Sequence, residues 1–459
     1  MTISHFMNNI LKQLNFNHFM MYNLKIPLLI LCLAMSGYSK AQERKILSLD
    51  EAINLGIAHS KQLQTDNIQL KIAESKVIQG VQSQAAQVSL NLSYIRISDN
   101  ITPFRVNFPT GDVVLNPQIL NQSYNSLQVK QLLWAGGKVK NGIQLLEFDK
   151  KALLFDMEKN KTDVSYNITT LWYNLFTVKE AKKLIESNIE LLSNQKKDAE
   201  NFVKQGIVLA SDVLKIDLAV TNLQSGLIDI SNSESLLKFN LSLLTGIDTK
   251  TEIDITDTLP IATQTDATMD DYLTLALNNR PELKALNIRQ QQANLGLKLT
   301  QSNFLPVLSA GGKVNYDMPN QRVFPNQASI TGTWDVGVFL NWNLSELFTN
   351  KEKIKESTLS ISRINNAFEQ AKEGIQLEVN ADYNNYKQAK QKIINAKKAV
   401  EQATENFRVE KNKFSANTTT STDFLGVYNL LFCLFIIVII SVYFELYAFF
   451  GLLKSVIYS

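Results

Sequence analysis

The sequence predicts a mainly α-helical chain with a β-sheet contribution, laid out on one plan used twice. Three observations carry this: a gapless internal repeat, short stretches of strict polar–apolar alternation, and two helical runs too long for a compact domain. "LDEAINLGIAHSKQLQ" (Leu49–Gln64) aligns with "MDDYLTLALNNRPELK" (Met269–Lys284), 220 positions later. Both open with an acidic pair, place Leu55 or Leu275 mid-helix, and pass a polar break to reach Leu63 or Leu283. Repetition on this scale makes each half a structural unit.

The alternating stretches read as strands. In "SITGTWDVGVFLNWNL" one face carries Ile330, Trp334, Val336, Val338, Leu340, Trp342 and Leu344. The other carries Thr331, Thr333, Asp335, Asn341 and Asn343, with Phe339 alone out of place. "LSAGGKVNYD", "VSLNLSY" and the weaker "YNSLQVKQLLW" repeat the period of two. Strands are expected at about 88–98 and 123–134 in the first half, and at about 307–317 and 329–344 in the second. This patterning suits a soluble half-buried sheet equally well, so the membrane reading depends on the remaining architecture.

That architecture is helical. Proline is absent from Gln118 to Leu259 and again from Asn326 onward. Val164, Ile168, Leu171, Leu175, Val178, Ile185, Ile189 and Leu192 follow steps of three and four, a coiled-coil seam interrupted by Lys182 and Lys196. Ile364, Phe368, Ala371, Ile375, Val379, Tyr383 and Tyr386 do the same in the second half. Lys138–Gln205 is 68 residues, about 100 Å of helix at 1.5 Å per residue. Such a rod needs neighbouring rods to cover its narrow stripe. Each half then turns back. "KQGIVLASDVL" places Gly206 after the outgoing helix and Ser211-Asp212 at the start of the return, as a C-cap and N-cap would stand. "FSANTTTSTDFL" repeats this, with Asn417 for the glycine and Thr422-Asp423 at the cap.

The domain plan follows. Residues 1–41 read as a leader, with Lys25 ahead of an apolar run from Ile26 to Met35 and Ser39-Lys40-Ala41 before Gln42; the true start is Met20 or Met21. Cys32 follows the bulky Leu31, which disfavours lipidation. Residues 42–250 form the first repeat, with a helical hairpin at about 137–246. The linker is 251–268, and the second repeat is 269–425, with a long helix at about 350–414. Residues 426–459 form an atypical apolar tail in place of the expected return helix. Its only charges are Glu445 and Lys454. Leu425–Phe444 has the length a bilayer crossing needs. Two explanations stand: a shifted reading frame or truncated gene, or a real anchor.

Composition excludes several classes. A net charge of +3 gives no case for nucleic acid. Between Cys32 and Cys433 there is no thiol, and of three histidines only His59 lies beyond the leader. No Gly-rich phosphate loop, nucleophile elbow or clustered metal spacing occurs. Neither an enzyme nor a cofactor or metal is expected. Four strands cannot close a membrane barrel, whose smallest form uses eight; if the sheet lies in a membrane, the chain must oligomerise.

From about Leu47 to Leu425 the sequence resembles the TolC-like outer membrane efflux protein family. The doubled "LDEAI" and "MDDYL" helices carry the resemblance, with "FLPVLSAGGKVNY", "QLLWAGGKVKNGI" and the paired turns at Gly206–Leu214 and Asn417–Leu425. Their order and duplication are specific where each alone is weak. The resemblance implies a homotrimeric α/β barrel: a twelve-stranded barrel in outer membrane lipid, continued by an α-helical tube into the periplasm. It implies a passive duct serving a periplasmic adaptor and an inner-membrane transporter in drug efflux or type I secretion. It further implies an iris at the hairpin turns, where Asp212 and Asp423 match, with Ser211 and Thr422 beside them. A helix-capping role for both aspartates also fits. Where the family often has a second aspartate and a basic residue, Gly426 and Thr419 stand. Trp134, Trp334 and Trp342 are membrane-interface candidates, with plain packing as the other reading. The rival to the duct is a periplasmic coiled-coil adaptor or scaffold anchored by the apolar tail.

Overall fold

The computed structural model describes residues 45–100, 102–256, 267–416 and 418–456. The leader and most of the linker lie outside these. In chain order the elements are β1 (Lys45–Leu47), α1 (Leu49–His59), α2 (Lys61–Gln82), β2 (Gln87–Arg96), β3 (Phe104–Phe108), β4 (Gly111–Asn116), β5 (Asn121–Trp134), α3 (Lys138–Lys204) and α4 (Ala210–Thr245). The second half adds β6 (Ile253–Ile255), α5 (Met269–Asn279), α6 (Pro281–Gln301), β7 (Val307–Met318), β8 (Thr331–Asn341), α7 (Glu346–Ser415) and α8 (Ser421–Val456).

The four long strands make one antiparallel sheet in the order β2-β5-β7-β8, so the β5–β7 pair joins the two halves. Its register sorts side chains into rows. Leu90, Leu127, Val314 and Trp334 are direct cross-strand neighbours, as are Val88, Val129, Gly312 and Val336. On the opposite face stand Ser89, Gln128, Lys313 and Asp335, then Asn91, Ser126, Asn315 and Thr333. The apolar face is bare: Leu90, Leu92, Trp334, Val336 and Val338 are all more than 60% exposed. Phe339, the exception to the alternation, lies over the directly paired Gly311 and Gly337, which leave room for its ring. A hairpin not expected from sequence, β3–β4, rises between β2 and β5. A short parallel pair, β1–β6, ties residues 45–47 to 253–255, within the segment read as linker.

Below the sheet run the rods. The 67 residues of α3 and the 70 of α7 are each about 100 Å long at 1.5 Å per residue. Against α3 lie α2 and α4; against α7 lie α6 and α8. The strand-to-helix junctions differ chemically. Gly136 and Gly137 enter α3 with φ of 62° and 81°, and a Cβ on Gly136 would stand 2.7 Å from Leu305 Cδ1. The α7 junction has no such pair. There the Asn343 side chain accepts from the Ser345 amide, and the Asn343 carbonyl accepts from the Glu346 amide, forming a turn without positive φ.

The two lysines that interrupt the α3 seam are answered from α4. Lys182 pairs with Glu234 at 2.8 Å and Lys196 with Asp217 at 2.6 Å. The apolar tail stands where the return helix was expected. Residues 421–456 form α8, a 36-residue helix antiparallel to α7 and equal in length to α4. Its residues enter all three cores: Ala448, Phe449, Leu452 and Val456 meet Tyr272, Ile375 and Val379. Tyr443, Leu446 and Phe450 pack on Trp172 and its neighbours, while Phe424, Leu425 and Tyr428 join Leu192, Ile216 and Phe414. Where every face is apolar, no period distinguishes the packed face, so the seam is invisible in sequence. α8 is also the one helix, among the described residues, long and apolar enough to cross a bilayer.

Gly136→Ala is expected to cost about 1–3 kcal/mol, from positive φ and the Leu305 overlap. Gly142→Ala, in open helical space, is expected to be neutral or stabilising by up to about 1 kcal/mol. Thermal melts of the detergent-solubilised protein check both.

Candidate functional site

The two hairpin turns come together at the far end of the rods. α3 closes with Gly206 in the left-handed region (φ 71°); the Ile207 amide donates to the Phe202 carbonyl and the Gly206 amide to Val203, a Schellman cap. α7 ends with the matching bond from the Thr418 amide to the Lys413 carbonyl. Asn417 itself lies outside the described residues.

The helix starts then diverge. At α8 the cap is Thr420, two residues before Thr422. Its Oγ1 accepts from the Asp423 amide at 3.1 Å and donates to Asp423 Oδ2 at 2.7 Å. Asp423 therefore sits in the third helical position, with both its amide and its carboxylate bonded to the Thr420 hydroxyl. At α4 the cap position is Leu209, with no side-chain cap bond, and Ser211 is exposed. Asp212 also reaches across to the other turn. Ser421 Oγ donates to Asp212 Oδ1, Lys215 Nζ donates to the same oxygen at 3.2 Å, and Lys215 also donates to Thr422 Oγ1 at 3.1 Å. Asp212, Lys215, Ser421 and Thr422 thus form one knot between hairpins. The Ser421 hydroxyl beside Asp212, with Lys215, holds its carboxyl below the usual aspartate range. Thr419 donates to Glu410, whose other oxygen takes Lys413 at 3.2 Å, and these bonds likewise lower the Glu410 pKa.

Beneath the knot lies a dry aromatic plug. Phe414 and Phe424 stack with centroids 4.8 Å apart, and Phe407 and Tyr428 flank them. The buried Tyr428 hydroxyl donates to Asn188 Oδ1 at 2.6 Å, joining the second hairpin to α3. Sequence reasoning found Asp212 and Thr422 but missed Lys215 and Ser421. The basic partner was sought within the second turn, where Thr419 stands, yet it comes from the first turn, three residues after Asp212. Among the described residues, no group of three or more His, Cys, Asp or Glu could hold a metal ion.

The tryptophans lie at the sheet, far from this tip. Trp134 and Trp342 are at the helix-proximal strand ends, and Trp342 Nε1 donates to the Phe304 carbonyl at 2.9 Å. Trp334 stands eight residues from Trp342, at 73% exposure.

With this geometry, the fold is that of known channels. VceC of Vibrio cholerae superposes with a TM-score of 0.75 over 89% of this chain and 95% of its own, at 14% identity. The Campylobacter jejuni CmeC outer membrane channel gives 0.70 over 89% and 85%, also at 14% identity. Residues 272–432 match the family model described as outer membrane efflux protein. The fold is thus that of these channels, and about a third of the chain carries the match to the outer membrane efflux protein model. A curated relative, toxin and drug export protein A of Aggregatibacter actinomycetemcomitans, is 21% identical over 305 residues. That alignment covers 66% of this chain and 66% of the relative, just under two thirds of its length. The matched family is described as outer membrane efflux proteins, and the superposed structures are described as an outer membrane protein and an outer membrane channel.

Because the Asp212 pKa is lowered, the knot's contribution is present above the ordinary aspartate pKa near 3.8 and is lost as pH falls through the lowered value. Hydrogen exchange at the two turns, corrected for intrinsic rates, is expected to stay constant from pH 7 to 5 and to rise only below about pH 4.

Proposed function

We propose that the chain is the outer membrane exit duct of a tripartite efflux or type I secretion system. The observation that carries this reading is the four-stranded sheet, apolar and bare on one face, polar on the other, and unpaired at β2 and β8. Open edges are not tolerated in lipid, and strands of 10 to 14 residues have the span of membrane strands. Three copies joined edge to edge close a twelve-stranded barrel with a polar lumen. The α3 and α7 rods then line a tube through the periplasm. Trp334 and Trp342, about 26 Å apart along β8 at 3.3 Å per residue, bracket the apolar band. Trp134 shares the lower edge.

In this reading the transport step itself is passive. A periplasmic adaptor and an inner-membrane pump supply direction and energy, and the cargo is of the drug, toxin or protein class. The knot at the tip acts as a gate latch. It holds the second hairpin against the first, and loosening it lets the turns splay outward. Asp423, bonded to the Thr420 hydroxyl, adds negative charge at the opening from each chain, which favours cations in a narrow pore. The scaffold reading draws support from the bilayer-length apolarity of α8. Against it stands the packing of α8 in the place that α4 occupies in the first half.

Purified protein in planar bilayers is expected to give a small, resolvable single-channel conductance. Asp212→Asn combined with Ser421→Ala is expected to raise it several-fold, while Ser211→Ala leaves it unchanged. A protein that runs as a monomer in the inner membrane and forms no pore overturns the duct.

A further inference from the structure

Where α7 and α8 pass α3, a cavity of about 360 Å³ opens, within the size range of small-ligand pockets. Tyr166 of α3 and Phe444 and Tyr447 of α8 supply aromatic walls, and Asp382 of α7 supplies a carboxylate. Gly451 of α8 keeps the carboxylate reachable: a Cβ there would stand 3.7 Å from Asp382 Oδ1.

The charges around this cavity are unequal in how they are met. Glu378 is held by Arg280 at 2.7 Å, and Arg280 also takes Glu282. Lys454 is held by Asp163 at 2.9 Å, with its ammonium 4.6 Å from the Tyr166 ring centre. Lys392 is exposed at the rim. Asp382 makes no hydrogen bond or ion pair among the described residues, although it is half-buried. An unmatched carboxylate against aromatic faces is the chemistry that takes an organic ammonium, through charge and cation–π attraction together. The Tyr166 ring already receives one cation in this manner.

We propose that this cavity is a binding site for small aromatic or alkyl ammonium ions, with Asp382 as the counter-ion and Tyr166, Phe444 and Tyr447 as the cage. The site belongs to a single chain and does not depend on the duct reading. Burial and the neighbouring Glu378 raise the Asp382 pKa to about 6, against the pull of Arg280 and Lys454. A bound cation favours the ionised form, so binding is expected to strengthen as pH rises through this value. From pH 7.5 to pH 5 the ionised fraction falls about ten-fold for a group of this pKa. The raised pKa also means that charging Asp382 disfavours the fold as pH rises through about 6. Asp382→Asn is therefore expected to melt no lower than the parent at pH 8.

The test uses full-length protein in detergent and three probes of like shape: benzyltrimethylammonium, its neutral carbon isostere neopentylbenzene, and benzenesulfonate. Calorimetry or ligand-line-broadening NMR at pH 7.5 is expected to detect only the ammonium. Its affinity should fall about ten-fold at pH 5, and at least ten-fold in Asp382→Asn and in the cavity-filling Gly451→Val. Equal binding by neopentylbenzene, or an ammonium affinity unmoved by Asp382→Asn, overturns the proposal. So does preferential binding of benzenesulfonate, which would make Lys392 the anchor. Melting curves of both variants establish that they fold.

Discussion

A four-stranded sheet with one bare apolar face and two unpaired edges cannot be satisfied inside one chain. The rest of the structure is arranged around that deficit. The register places apolar with apolar across all four strands, so the sheet has an outside and an inside before any neighbour arrives. β5 and β7 sit at its centre, so the gene's two halves meet in the middle and each contributes one open edge. The rods inherit the same incompleteness. Each long helix carries shorter helices laid end to end along it, which cover part of its length.

Much of this was legible in the sequence because it depends on period. Alternation located the four long strands to within a few residues, and the three-four spacing located α3 and α7. The β3–β4 hairpin was missed because "FRVNF" and "GDVVLN" are short and lie among Pro103, Pro109 and Pro117, which read as loop. α8 was misjudged for the opposite reason. Its composition is so uniformly apolar that no stripe stands out, and only the positions of Tyr272, Trp172 and Phe414 select which of its faces is packed.

The tip was legible in part. Glycine and aspartate announce turns and helix starts by local chemistry, so Gly206 and Asp212 could be placed from sequence. What Asp212 bonds to could not, because Ser421 lies 209 residues away and no local rule links the two. The exact helix starts turned on a related point. Both turns offer several hydroxyls and one acid, and which residue caps depends on where the helix begins. At α8 that is Thr420, and at α4 it is Leu209, whose own side chain makes no cap bond.

The equal length of α4 and α8, at 36 residues each, has a consequence for whatever grips the tube from outside. In the proposed trimer the wall presents six hairpin staves of matching height, which by shape alone approach sixfold symmetry. By surface they do not: α4 mixes charged side chains with exposed leucines, whereas beyond Asp423 α8 carries only Glu445 and Lys454 as charges. In such a trimer, a clasping ring of six identical hands would find only three equivalent grips.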